Sequence, residues 1–212
     1  MGSSALRVAQ FGKQSVFATS VAATAKMMGV TNVMAKPEFT NSQRRYLQGD
    51  LAPAHTARQT DRRGSASIDG DFTFEDFLYV LLGSVKGGVT PTGTTDKTWD
   101  FPMPVGTVAG ADMRTLEVYD GTQEYELVGA VCNAWTLQGA ATVDGLVTFT
   151  SSWLGHDLVP STLTPALAAR AMETLAVGNL SLFIDDLGGT IGTTPVTGTL
   201  IDFALSYDSG IH

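Results

Sequence analysis

The stretch from Arg114 to Trp153 constrains the fold of this chain more than any other. Arg114-Thr115-Leu116-Glu117-Val118-Tyr119 alternates with a period of two, and Asp120-Gly121 follows it. An Asp-Gly dipeptide between alternating runs is a strong short-range hairpin signal, because both turn residues tolerate positive φ. A second, longer strand is predicted from Tyr125 through Ala134 to Gln138, and Val143-Asp144-Gly145-Leu146 marks another hairpin turn. The return strand, Val147 to Trp153, puts Val147, Phe149 and Trp153 on one face. Leu146, Thr148, Thr150 and Ser152 fall on the other. One apolar and one polar face is the pattern of an antiparallel sheet buried on one side.

One helix interrupts the strands, at about residues 74–82. Thr73-Phe74-Glu75-Asp76 fits a capping box, in which the cap hydroxyl accepts from the third helical N–H. Phe72 and Phe77 occupy hydrophobic-staple positions, and Glu75 and Asp76 suit the positive end of the helix dipole. Phe74, Phe77, Leu78 and Leu81 are predicted to form the buried face, with Gly83 just past the end.

The remaining chain is read more coarsely. A short apolar segment, Leu6 to Ala9, opens an N-terminal arm of about residues 1–26. Met27 to Ala35 is predicted as a strand that Pro37 ends or places at a sheet edge. Residues 40–64 are polar and basic, with few large apolar groups. We expect a long structureless loop there, ordered by a partner. Ser65 to Ile68 reads as a short strand and Asp69-Gly70 as a turn. Lys97 to Phe101 reads as a strand closed by Pro102 and Pro104. A short helix at Pro165 to Leu175 and strands at 180–184 and 197–207 complete the reading. The fold expected is mainly β, a single-domain antiparallel sandwich or barrel with one flanking helix and long loops or arms.

Charge is distributed unevenly. Residues 1–68 carry +6 and residues 69–212 carry −14, which gives the net −8. Three explanations are open: a nucleic-acid surface, head-to-tail attraction between copies, or closure within one subunit. The basic residues are scattered and no aromatic stacking platform lies among them, which weakens the first. The N-terminus lacks the apolar core of a signal peptide, and no run reaches the ~18 apolar residues of a membrane span. We therefore expect a soluble protein made in the cytoplasm, with no membrane partner.

No catalytic, cofactor or metal site is expected. His55, His156 and His212 are far apart in sequence, and no nucleophile elbow, phosphate loop or dinucleotide fingerprint occurs. Gly155-His156-Asp157 is the nearest thing to a catalytic cluster, but neighbours on a strand point to opposite faces. Asp69, Asp71, Glu75 and Asp76 lack the spacing of a calcium loop. The single cysteine, Cys132, sits among Ala130, Val131 and Ala134, so it reads as a buried apolar residue.

The order of these pieces resembles the tail tube (major tail) proteins of long-tailed bacteriophages. Gly12-Lys13-Gln14-Ser15-Val16-Phe17-Ala18-Thr19 is similar to the family's opening motif, with Ala18 in place of the usual Gly. Gly64 to Gly83 resembles its small-residue strand and short helix, and Gly87-Gly88-Val89 its following loop. Leu116 to Gly121 and Asn133 to Gly139 resemble its hairpin and long strand. The resemblance implies hexameric rings stacked into a tube, with the subunit as its own chief partner. It implies a tape-measure protein in the lumen, passage of DNA without sequence preference, and tail terminator and distal tail proteins at the ends. It implies a virion location and genome ejection as the role. The basic loop, with Arg44, Arg45, Arg58, Arg62 and Arg63, would form the ring-to-ring interface. Family members often extend beyond the equivalent of Tyr207, so the chain reads either as a short member or as a piece that lacks a C-terminal segment. The alternatives are another ring or connector protein such as a tail terminator, or a host-surface-binding sandwich with exposed Trp99, Trp135 or Trp153. All three Trp read as strand positions.

Overall fold

The computed structural model describes residues 7–44, 56–101, 110–142, 145–186, 188–190, 192–196 and 202–210. One curled antiparallel sheet forms a half-barrel with a single helix packed on it. Its strands are β1 (Val8–Lys13), β2 (Ala25–Lys26), β3 (Val30–Arg44), β4 (Thr56–Asp71), β5 (Arg114–Tyr119), β6 (Glu124–Ala140), β7 (Thr148–Gly155), β8 (Asp157–Pro160) and β11 (Asp202–Asp208). The helix α1 spans Phe74–Ser84, and β9 (Leu182–Phe183) pairs with β10 (Pro195–Val196) in a separate two-stranded ribbon.

β6 is the axis of the sheet. Its first half lies between β5 and β8, and its second half between β11 and β7. Two bulges bend it. Opposite Thr115 the strand carries an extra residue beside Gly129, whose φ of 68° is a conformation that suits glycine. A second irregularity, between Cys132 and Ala134, re-aims the strand toward β11. From β6 the sheet continues through β7 and β4 to β3, which is an edge.

The concave side of the sheet and α1 enclose the core. Phe11, Val33, Ile68, Leu116, Leu127, Val147, Phe149 and Trp153 are buried there. Thr73 Oγ1 caps α1 by accepting from Asp76 N at 3.1 Å, and the Phe72 and Phe77 rings meet at 5.2 Å. The Thr73 half of the capping box and the staple are therefore formed, while the Asp76 carboxylate turns to other donors. The buried face is rotated from the predicted one, however. It carries Asp76, Phe77, Val80, Gly83 and Ser84, while Phe74 is 62% exposed. Gly83 lies inside the helix because of a close approach, since a Cβ there would sit 2.9 Å from the Trp153 ring. Ser84 Oγ accepts from Trp135 Nε1 at 3.1 Å.

Several expectations change. Residues 8–13 are not part of an arm, because β1 pairs with β5 along its whole length and with β2 on its other side. Of the structureless loop expected at 40–64, residues 40–44 and 56–64 instead belong to a β-ladder running from Val30↔Gly70 to Arg44↔Thr56, and residues 45–55 lie outside the described residues. Backbone pairing supplies the order that its side chains cannot. Pro37 lies within β3 rather than ending it, and it is tolerated because β3 is an edge strand. Asp69-Gly70 is part of β4, not a turn. Lys97 to Phe101 has only a bridge between Thr92 and Thr98, so Trp99 is not on a strand. No helix forms at 165–175. The strand expected over 180–184 is reduced to β9, and the one over 197–207 is described only as β11. The hairpin at Asp120-Gly121 forms, and β6 and β7 pair as expected, while Val143 and Asp144 fall outside the described residues.

Candidate functional site

The features outside the core are a polar sheet face, the sheet margins at β3 and β11, which have no further strand among the described residues, and a projecting hairpin. Each follows from strand alternation. Where Cys132, Trp153 and Ile68 point into the core, their neighbours must point away from it. The register then assembles cross-strand rows over five strands. Ser206, Thr136, Thr150, Asp69 and Asn32 form one row from β11 to β3. Asp208, Ala134, Ser152, Ser67 and Met34 form the next. The side chains are short and mostly hydroxyl-bearing. Thr136 and Ser206 hydroxyls meet at 3.1 Å, and Asn32 Nδ2 donates to Asp69 Oδ2 at 2.9 Å. The charges on this five-strand face are Asp69, Asp71, Asp202 and Asp208, against Lys36.

β3 and β4 run past the core to form the arm. Residues 36–41 and 58–63 are exposed, and paired residues share a face: Glu38 with Arg63, Phe39 with Arg62, Ser42 with Arg58. The five arginines of the expected interface do not behave alike. Arg62 is held at home, its Nε 2.6 Å from Asp157 Oδ1 and its Nη2 donating to the Leu158 carbonyl at 3.4 Å. Arg63 pairs with Asp61 on the same strand at 2.8 Å. Arg58 is exposed on the arm. Arg44 pairs through its backbone with Thr56, and Arg45 lies outside the described residues.

Part of the charge asymmetry therefore closes within the subunit. Lys13 meets Asp112 at 3.0 Å, as Arg62 meets Asp157. Arg170 belongs to the acidic part, and it binds Asp76 at 2.8 Å and Glu75 at 2.7 Å. Asp76, 1% exposed, also accepts from Met28 N and Gly29 N at 2.8 and 2.9 Å. Its carboxylate thus fastens the start of α1 to the chain entering β3. Sequence reasoning placed Asp76 only at the helix dipole. It also missed the polar groups beneath β5. Glu117 accepts from Ala23 N at 3.0 Å and Thr164 N at 2.6 Å, and Thr115 Oγ1 from Val21 N at 2.9 Å. Thr115 and Glu117 are buried because the coil segments 14–24 and 161–164 cover them.

Among the described residues no group of three or more His, Cys, Asp or Glu side chains is placed to hold a metal. His156 packs against the Phe17 ring at 5.3 Å, while its neighbour Asp157 faces Arg62. His55 and His212 lie outside the described residues. Cys132 is fully buried, and that burial pushes its thiol pKa up to about 12. Asp185, in the turn between β9 and β10, is held down at about 2, first by the Thr193 hydroxyl and then by neighbouring N–H groups.

A curled antiparallel sheet with a hydroxyl-rich face and a projecting β3–β4 ladder defines a mainly β, half-barrel protein. The family model for phage tail tube proteins matches residues 4–212, nearly the whole chain, and the chain belongs to that family. No curated protein matches it. The family is structural, which fits a non-catalytic chain, and it implies self-assembly with other tail proteins and a place in the virion. No described helix is long and apolar enough to cross a membrane.

Proposed function

We propose that this protein is the subunit of a phage tail tube built from stacked hexameric rings, with the five-strand polar face lining a lumen through which DNA leaves at ejection. The observation that carries this reading is the face itself. It spans β11 to β3 without a large aromatic group, and most of its uncharged positions are Ser, Thr or Ala, with Asn32, Met34, Gln138 and Leu154 among them. Such a wall offers bases little to stack on. Its four aspartates against Lys36 repel phosphate, so a passing duplex is not held. A basic wall would hold it, since each neutralised phosphate adds affinity. A lumen ringed by Arg and Lys would overturn this assignment.

During assembly a tape-measure protein would occupy the same lumen, and terminator and distal tail proteins would close the ends. Synthesis would take place in the host cytoplasm. The β3–β4 arm would reach a neighbouring ring, through Arg44, Arg45, Arg58 and Arg63. Arg62, paired with Asp157, would act instead as a brace at the arm's root.

Negative-stain microscopy of the purified protein tests the reading. Hexameric rings or tubes are expected, and a persistent monomer under all conditions would overturn it. Deleting residues 42–63 should leave rings that fail to stack. Normal tubes from that deletion would end the role given to the arm.

A further inference from the structure

Two patches of bare apolar side chains lie near opposite ends of the second half of β6. The first is on the β9–β10 ribbon, where Leu182, Phe183 and Ile184 are 41%, 42% and 63% exposed. Leu182 and Ile184 share one side of the extended chain and Phe183 takes the other, so the core covers neither side. A two-stranded ribbon is marginal alone in water. Asp185 holds this one in shape. Its carboxylate accepts from Gly192 N at 2.6 Å, Thr194 N at 2.8 Å and the Thr193 hydroxyl at 2.7 Å. The neighbouring Asp186 is exposed, and residues 180–196 include no Lys or Arg.

The second patch is a groove of about 310 Å³ at the root of the arm. Its floor is Val131 and Leu154, paired apolar positions on an otherwise hydroxyl-rich face. Phe17, 58% exposed, forms a wall and packs against His156. Gly129 keeps the groove open, because a Cβ there would touch both the Phe17 ring and His156. Arg62 and Arg63 line the rim. Arg62 is fixed by Asp157, but the Arg63–Asp61 pair is solvent-exposed, and exposed pairs are worth little, so Arg63 is free to change partner. Val177, which leads toward the ribbon, lies against Gly139. Gly139 is eight residues along β6 from Val131, about 26 Å at the usual rise per residue. No ribbon residue lines the groove of its own subunit.

We propose that the groove receives the β9–β10 ribbon of a second copy, with Leu182 and Ile184 against Phe17, Val131 and Leu154, and Asp186 beside Arg63. The match is one of chemistry, since an apolar ribbon with an acidic end meets an apolar floor with a basic rim. The two surfaces differ and lie at opposite ends of the strand, so the contact is head-to-tail and does not close on a pair. This rests on the ring reading above. The groove and the arm share one end of the subunit, so in that setting the joint runs from one ring to the next and adds to the arm's contact.

Disulfide trapping and one substitution test the joint. His156, Leu182 and Ile184 are exposed, while native Cys132 is buried and does not compete. A disulfide needs Cα atoms within about 7 Å, so two cysteine pairs bracket the seating of the ribbon. Oxidised tubes of H156C/I184C or H156C/L182C should give covalent ladders that pass six subunits on denaturing gels, because each bond joins one ring to the next. Ladders that stop at six would place the contact within a ring and overturn the proposal. So would the absence of cross-links from both pairs where microscopy shows tubes. I184D should lose stacking while keeping its rings and its urea midpoint, because Ile184 is bare in the subunit. Normal tubes from I184D would also overturn the joint. Absence of rings from the unsubstituted protein would sink the ring reading itself, and the ring-to-ring joint with it.

Discussion

The inner and outer halves of the β3–β4 ladder share one backbone pattern and differ in almost everything else. The inner half buries Val33, Ala66 and Ile68 against the core, and the outer half leaves residues 36–41 and 58–63 bare. A two-stranded ribbon is marginal alone in water. The outer half is therefore held by continuity with the inner half, by the Arg62–Asp157 brace, and by whatever it meets in the assembled tail. Packing sets the stability of one half, and under the proposed function contact with other subunits would set the use of the other.

The largest expected effect breaks the inner half. Trp153→Ala should lower unfolding free energy by ~3–5 kcal/mol, read from the urea midpoint, because a fully buried ring beside Phe11 and Gly83 is removed. Asp76→Asn should cost ~1.5–3 kcal/mol in a thermal melt, since it strips charge from hydrogen bonds to two backbone N–H groups and Arg170. Gly83→Ala should cost ~1–3 kcal/mol, as its methyl group meets the Trp153 ring.

Alkaline titration gives a further check on the inner half. Cys132 has its folded pKa raised from 9.0 to about 12 by burial. The unfolded chain therefore loses this proton first, and the associated stability is intact below pH 9 and falls as pH rises toward 12. At pH 8 the thiol should react with a disulfide reagent only on unfolding, and rapid labelling of native protein would contradict its burial. The smallest stability effect belongs to the outer half. Arg58→Ala and Arg63→Ala should each shift the melt by no more than ~0.5 kcal/mol while changing the salt dependence of tube formation. A large loss of subunit stability in either would dissolve the distinction between the halves.

The parts readable from sequence were those governed by local rules. The Thr73 cap of the helix, the Asp120-Gly121 hairpin and the two-faced return strand through Trp153 need only neighbours in the chain. The arm was misread because composition reports burial, and this ladder forms by backbone pairing without burial. The helix face was misread because Phe74 is apolar yet lies on the open side, while Asp76 is charged yet buried by partners from Gly29 and Arg170. The polar face was visible as the hydroxyl half of the alternation. Its extent was not, because the rows join residues as far apart as Asn32 and Ser206, and only the register reveals that.

The central position of β6 also bears on how the chain is made. Its first half meets β5 directly upstream, but its second half stays open until residues 202–208 arrive. At ~5–20 residues per second, a ribosome needs several seconds to deliver that strand after β6 has emerged. For that interval the second half of β6 has β7 on one side and lacks β11 on the other. The sheet is thus completed only when its last described strand has been made.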